Sequence, residues 1–360
     1  MQASPATCHS LVAAYRDGKP LRHCLKLRLG RTRLALRGGD AGLMDALAGH
    51  YRDFGTDEAD PPDLTIAFLD RGPVPFSLPF AVWEGADEVA KEEFVDLADG
   101  RVVRKRRTGL WLVFGPAGHF VLGPCRRHVD QVINYVNARA ADRELAAGAS
   151  LLHAAGVAVG ERGLAVAGLA GAGKSTLALE LVRRGADFVS NDRLLVGPSE
   201  APGGGLAMTG VARMPRVNPG TLLFNDSLAG LLPEADRAVY AGLADEELWR
   251  LERKYDVPIR DCFGPGRFRL RVPCQALVLL CWRPGGGAMA ARRIGLAERP
   301  ELVAAITKDV SVLFAQGPRR ARPEDYLRLL ADCPVLLLEG GTDFHRAADR
   351  CLALLAAPGA

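Results

Sequence analysis

Leu25, Leu27 and Leu29 alternate with Lys26 and Arg28, and Leu34 and Leu36 alternate with Ala35 and Arg37. This period of two, with Gly30 between the runs, predicts a hairpin. Asp40 stands just before the next apolar run and predicts an N-capped helix over about 41–51. "DLTIAFLD" (63–70) predicts a strand. "FVDLADGRVVRKRR" and "LWLVFGPAGHFVLG" predict two more hairpins, turning at Asp99-Gly100 and at Pro116-Gly118. A long helix is expected from about Arg127. Residues 1–147 therefore read as a smaller α+β domain on an antiparallel sheet. Its charges form a solvated face, and its partner or regulatory role is open.

From Ser150 onward apolar strands alternate with helical patterns. "GVAVG", "LAVAG", "ADFVS", "ALVLLCW" and "PVLLLEG" are strand-like. Helices are expected after Lys174, after Pro300 and from about Phe344. This alternation predicts an α/β domain over 148–360 around a buried, mainly parallel sheet. The stretch 197–273 is rich in Gly, Pro and charge and too long for a linker; it is the expected acceptor-holding part. Within it "RFRLRV" (267–272) reads as an edge strand with a wet face.

Gly168, Leu169, Ala170, Gly171, Ala172, Gly173, Lys174 and Ser175 match G-x-x-x-x-G-K-[ST] in full, between a strand and an amphipathic helix that stops at Gly185. Such a loop curls its amides toward a phosphate at the positive end of a helix. The span Gly168–Thr176 is thus the expected nucleotide cradle. Lys174 would reach the β- and γ-phosphates, and the Ser175 hydroxyl would ligate Mg²⁺. No Asn-Lys-x-Asp motif for guanine is present, so ATP is the expected donor. The following helix spans only about eleven residues, ~16 Å. A right-handed crossover would then lay "ADFVS" beside the loop's strand and parallel to it. Asp192, eighteen residues after Lys174, would open on the phosphate edge between Asn191 and Arg193. An acid there can hold Mg²⁺ or accept the proton of an attacking hydroxyl. The plainer alternative is a turn cap.

Composition narrows the class. Hydrophobic residues make up 48% and charged residues 24% of the 360, and the net charge is +4. No dense basic run accompanies it, so nucleic acid is not an expected partner. No apolar run reaches the ~18 residues of a membrane span. The N-terminus lacks the apolar core of a secretory signal. The eight cysteines are scattered without a Cys-x-x-Cys pair, which points to reduced thiols in a cytoplasmic protein and argues against structural zinc.

The span "LLHAAGVAVGERGLAVAGLAGAGKSTLALELVRRGADFVSNDRLLV" resembles the core of the HPr kinase/phosphorylase family. That core has a His-bearing strand, a spacer, a P-loop, a short helix ending in "RG" and a strand ending in acids. "ARMPRVNPGTLL" and "ELWRLERKYDVPIRDCFG" narrow the resemblance to the bacterial HPr-kinase-related kinase B group. It covers Ser150–Trp282 well. The resemblance implies a P-loop kinase core of the HPr kinase / PEP carboxykinase type, transfer of phosphate to a hydroxyl, and self-association into a homo-oligomer. Gly168, Gly173, Lys174 and Ser175 match its nucleotide and Mg²⁺ positions, Asp192 the second of two adjacent acids, and His153 a histidine near the transferred phosphate. Two departures stand out. Asn191 replaces the first acid, and no "PVRPGRN"-like segment is found, so reverse phosphorolysis is not expected.

Read without the resemblance, His153 in "SLLHAAG" is a core or turn histidine. Arg213, Arg216 and Asn218, with Arg253, Lys254 and Asp256, form a basic set. At least one of these, or Arg193, is expected to touch a phosphate; a solvated helix face is the alternative. The expectation is an Mg-ATP-dependent kinase with Asp192, Lys174 and His153 as its catalytic residues and an unknown protein or small-molecule acceptor. The rival is a P-loop ATPase or nucleotide switch without an acceptor.

Overall fold

The computed structural model describes residues 7–16, 18, 20–84 and 90–356. They divide into two compact units. One comprises the described residues up to Arg143 together with Asp309–Arg320, the other Glu144–Lys308 and the described residues from Ala321 onward. A single break near 147 does not anticipate the return of 309–320 to the first unit. There Val310 and Arg319 bridge each other. Arg139 donates to the Leu313 carbonyl, Arg101 donates to those of Phe314 and Gly317, and Asp142 accepts from the Ala315 amide. No local pattern in a loop announces such contacts.

The first unit contains α1 (Cys8–Arg16), β1 (His23–Leu29), β2 (Thr32–Gly38), α2 (Ala41–His50), β3 (Leu64–Asp70), β4 (Glu92–Leu97), β5 (Gly100–Lys105), β6 (Trp111–Gly115), β7 (Gly118–Gly123) and α3 (Val129–Ala146). Asp40 caps α2 as expected, its carboxylate accepting from the Leu43 amide at 2.7 Å. All three hairpins form, and the sheet order is β1-β2-β3-β7-β6-β5-β4. The sheet is mixed rather than antiparallel, because β2, β3 and β7 run parallel. Alternation along one strand reveals its two faces but not the direction of a distant neighbour.

The second unit begins with β8 (Ser150–Leu152), β9 (Ala154–Val159), β10 (Arg162–Gly168), α4 (Lys174–Arg183), β11 (Asp187–Ser190), β12 (Leu194–Pro198) and β13 (Leu206–Gly210). A Gly- and Pro-rich stretch follows, with β14 (Arg216–Val217), α5 (Pro219–Leu223), α6 (Glu234–Ala241), α7 (Asp245–Arg250), β15 (Tyr255–Asp256) and α8 (Ile259–Phe263). It closes with β16 (Arg271–Arg283), β17 (Ala290–Ile294), α9 (Pro323–Leu329), β18 (Val335–Gly341) and α10 (Phe344–Ala356). A 3-10 turn, Pro300–Ala305, stands where an α-helix was expected.

The sheet order is β11-β9-β10-β16-β13-β12-β8, with β18 also on β16 and β17 on β18. Among the described strands of this sheet only β10–β16 and β16–β18 pair in parallel, so the expected mainly parallel sheet is instead mixed. The apolar runs have a different cause. α4 and α10 pack on one face of β10. Ala165 and Ala167 face the other way, into a core with Leu277, Leu279, Val303, Ile306 and Leu330. A sheet covered on both faces needs apolar residues at every position, whatever its strand directions. The "RFRLRV" expectation also changes. Arg271 opens the central strand β16, and Arg267 and Arg269 lie against Asp187. Among the described residues no helix is long and apolar enough to cross a membrane.

Candidate functional site

β9 intervenes between β10 and β11 and pairs antiparallel with both. The expected adjacency of β10 and β11 is therefore replaced by a three-strand arrangement. Two successive reversals still leave β10 and β11 pointing the same way. Gly168 at the end of β10, His153 at the start of β9, and Asn191 and Asp192 after β11 consequently share one edge. The common edge thus arises through β9 rather than through direct pairing of β10 with β11.

The glycine loop joins β10 to α4. Gly173 is the N-cap of α4 with φ 86°, a left-handed conformation, and no side chain caps the helix. A Cβ at Gly173 would lie 2.7 Å from Phe344 Cζ. At Gly168 a Cβ would lie 2.9 Å from the Leu280 carbonyl oxygen. The Trp282 indole donates to the Ala172 carbonyl at 2.8 Å, and its ring meets Phe344 edge-on at 5.1 Å. An aromatic wall thus supports the loop from β16 and α10, while Leu169, 65% exposed, stands out from it. The far end of α4 closes by the Schellman pattern, with the Ala186 amide on Leu181 O and the Gly185 amide on Val182 O, each 3.0 Å. The short helix therefore returns the chain to β11 within a few residues.

Lys174 is buried, and its Nζ donates to the carbonyls of Gly168 at 2.8 Å and Leu169 at 3.1 Å. Burial pushes its ammonium down to about 8; Asp192 works against the shift and Lys308 adds to it. Ser175 is half-buried at the helix start. The Thr176 hydroxyl pairs with that of Thr221 at 2.8 Å, which ties the loop helix to α5.

Ser190, not Asp192, closes the turn after β11. Its hydroxyl donates to the Arg193 carbonyl and accepts from the Val211 amide at 3.2 Å. The Asp192 carboxylate faces the site instead. Oδ1 lies 3.2 Å from His153 Nε2, and Oδ2 lies 2.9 Å from Lys308 Nζ. Burial pushes the acid upward, but the His153 hydrogen bond and the Lys308 charge outweigh it and hold the carboxyl well below the usual range. His153 is fixed through its amide, which donates to Ile306 O at 2.8 Å. Lysine, carboxylate, imidazole and an uncapped helix start together can bind a polyanion and hold a hydroxyl or metal beside it.

The remaining candidates separate. Asn218 precedes α5, near Thr221, and its buried Oδ1 has no partner; the same holds for Asn191 Oδ1. Arg216 lies 3.4 Å from Asp256 on the β14–β15 pair, and Arg253 lies 3.2 Å from Asp236. Arg193 and Lys254 are exposed, and Arg213 is half-buried. The structure thus groups His153, Lys174 and Asp192 around the loop, while Arg216 and Arg253 are committed to other carboxylates. Lys308, Trp282 and Phe344 were not anticipated. Lys308 lies 116 residues from Asp192 in a stretch, "TKDV", without a motif.

Comparison with protein-family models finds no match, and comparison with curated proteins finds none. Among solved structures the chain is similar to the HPr(Ser) kinase/phosphatase from Coxiella burnetii, with a TM-score of 0.27 and 11% identity over 57% of this chain and 93% of that one. So low a TM-score does not assign a fold by itself.

Proposed function

We propose that the second unit is a P-loop kinase core of the HPr kinase / PEP carboxykinase type, transferring the γ-phosphoryl group of ATP to a hydroxyl acceptor. The observation that carries this reading is the shared edge: an uncapped helix start and a buried ammonium beside a carboxylate held by His153 and Lys308. The resemblance of Ser150–Trp282 to HPr-kinase-related sequences supports it.

The residues fit a polyphosphate. First-turn amides of a helix have no intrahelical partner, and here no side chain caps them. The backbone around Gly171, Ala172 and Gly173 with the amides through Thr176 would grip the phosphates. Lys174 would exchange its two carbonyl partners for phosphate oxygens. Ser175 and Asp192 would hold Mg²⁺, which supplies neutralisation of the charge on the phosphates. A carboxylate of depressed pKa is a ready metal ligand and a weak base. Asn191 cannot take a proton at neutral pH, so Asp192 is also the carboxylate left to receive the acceptor's proton. His153 orients it through Oδ1. The region 213–260, with Arg213, Asn218 and Lys254, would form the acceptor side.

The test is incubation with γ-labelled ATP and cell extract, with Lys174→Ala as the control. Label on a protein or small molecule, abolished by Lys174→Ala, is the expected result. Label found only in inorganic phosphate would make the protein an ATPase or switch. Equal labelling by Lys174→Ala would remove the loop from the chemistry.

A further inference from the structure

Lys308 sits outside every motif, yet its main chain is tied to the buried Tyr326. Thr307 bridges Leu152. The Lys308 amide donates to the Tyr326 hydroxyl at 3.3 Å, and that hydroxyl is itself anchored on the Leu151 carbonyl at 2.7 Å. Tyr326 is buried. The stem of Lys308 therefore leaves a fixed point beside β8 and reaches Asp192 Oδ2, with 26% of the side chain exposed. Such a stem can pivot without moving the backbone.

The surroundings of Asp192 are the second observation. Its Oδ1 lies 3.2 Å from His153 Nε2 while Oδ2 holds Lys308, and on the same edge Lys174, its ammonium on the Gly168 and Leu169 carbonyls, opens the uncapped helix α4. A phosphate drawn to that helix start would therefore arrive beside Lys308 as well as Lys174.

Resting on the kinase reading above, we propose that Lys308 is a second phosphate-contacting catalytic residue, whose ammonium leaves Asp192 for an oxygen of the terminal phosphoryl group when nucleotide binds. One movement then does two things. The cation meets the charge that develops on the transferring group, and Asp192 Oδ2, which it occupied at 2.9 Å, is freed to face the acceptor hydroxyl. In the transfer the acceptor oxygen forms the new bond to the γ-phosphorus. The bond from that phosphorus to the bridging oxygen breaks, with its electron pair remaining on the ADP β-phosphate. The acceptor's proton goes to Asp192.

The experiment compares Mg-AMP-PNP and Mg-ADP affinities for the parent, Lys308→Met, Lys308→Gln and Lys308→Arg. Loss of one charge-assisted hydrogen bond predicts a ten- to hundredfold weaker hold on Mg-AMP-PNP, of the order such bonds contribute. Mg-ADP affinity should stay within about threefold, since it reports the same fold and loop without the terminal phosphoryl group. Lys308→Arg should recover most of the discrimination. Undiminished preference for Mg-AMP-PNP in Lys308→Met and Lys308→Gln would overturn the assignment, as would equal losses for both nucleotides. A parent that binds neither nucleotide overturns the kinase reading and this one with it, whereas a parent that binds both, with variants that discriminate normally, overturns only the role of Lys308.

Discussion

Replacing Lys174 by methionine removes a buried ammonium while keeping a stem of similar length. Lys174 falls from 10.5 to about 8 on folding, chiefly through burial. The unfolded chain therefore holds a proton between those values that the folded chain releases, and parental stability rises with pH across that window. Below about pH 8 both states are protonated and the full penalty applies. Each tenfold difference in proton affinity is worth ~1.4 kcal/mol, so the cost in the absence of nucleotide is about 3 kcal/mol. Methionine also loses the hydrogen bonds to Gly168 O and Leu169 O, which blurs the absolute difference at any single pH. The slope is less affected, because titrating groups away from Lys174 are common to both proteins and cancel, and Asp192 stays ionised throughout this pH range. The assay is denaturant unfolding of parent and Lys174→Met from pH 7 to 10. Relative to the variant, the parent should gain up to about 3 kcal/mol, nearly all of it above pH 8. A difference that stays flat with pH would show that the ammonium is not buried as described.

Four further outcomes follow from the same contacts. Phosphate binding should restore the proton to Lys174, so Mg-ATP affinity should fall as pH rises above about 8; titration calorimetry of the parent should show proton uptake there, and a Lys174→Arg variant should not. Asp192→Asn should lower phosphoryl transfer by about 10²-fold or more and also lower the unfolding midpoint at neutral pH, since the ionised carboxylate held by His153 and Lys308 stabilises the fold; the acid limb of kcat/KM, which reports the free enzyme, should not report Asp192, which there remains ionised well below the usual carboxylate range. Gly173→Ala should destabilise by ~1–3 kcal/mol, since φ is 86° and the new Cβ would press on Phe344; thermal unfolding measures it. In the first unit, Arg139→Leu should cost ~3–5 kcal/mol, because Asp142, 2.8 Å from the buried guanidinium, would lose the charge that faces it and be left with the Ala315 amide; adding Asp142→Leu should recover part of that loss.

Local backbone chemistry made several features legible from residues 150–192 alone. Gly173 needs a positive φ, a helix must start after it, and Gly185 must end that helix; each depends on a few neighbouring residues. Asp40 capping α2 and the three hairpins belong to the same class. The edge shared by Lys174 and Asp192 was reached by assuming that β10 and β11 are neighbours. The true neighbour is β9, yet two antiparallel steps return the same direction. The shared edge therefore arises for a reason the motif could not contain.

Strand direction, the return of 309–320 to the first unit, the aromatic support of Trp282 and Phe344, and the pairing of Lys308 with Asp192 were all decided by packing between segments far apart in the chain. An apolar run records how many of its faces are covered, but not which element covers them or which way that element runs. The backbone conformation of the loop is thus written in consecutive residues, whereas the charges beside it are assembled only when the sheet closes and brings the start of β9, the end of β11 and Lys308 to a common edge.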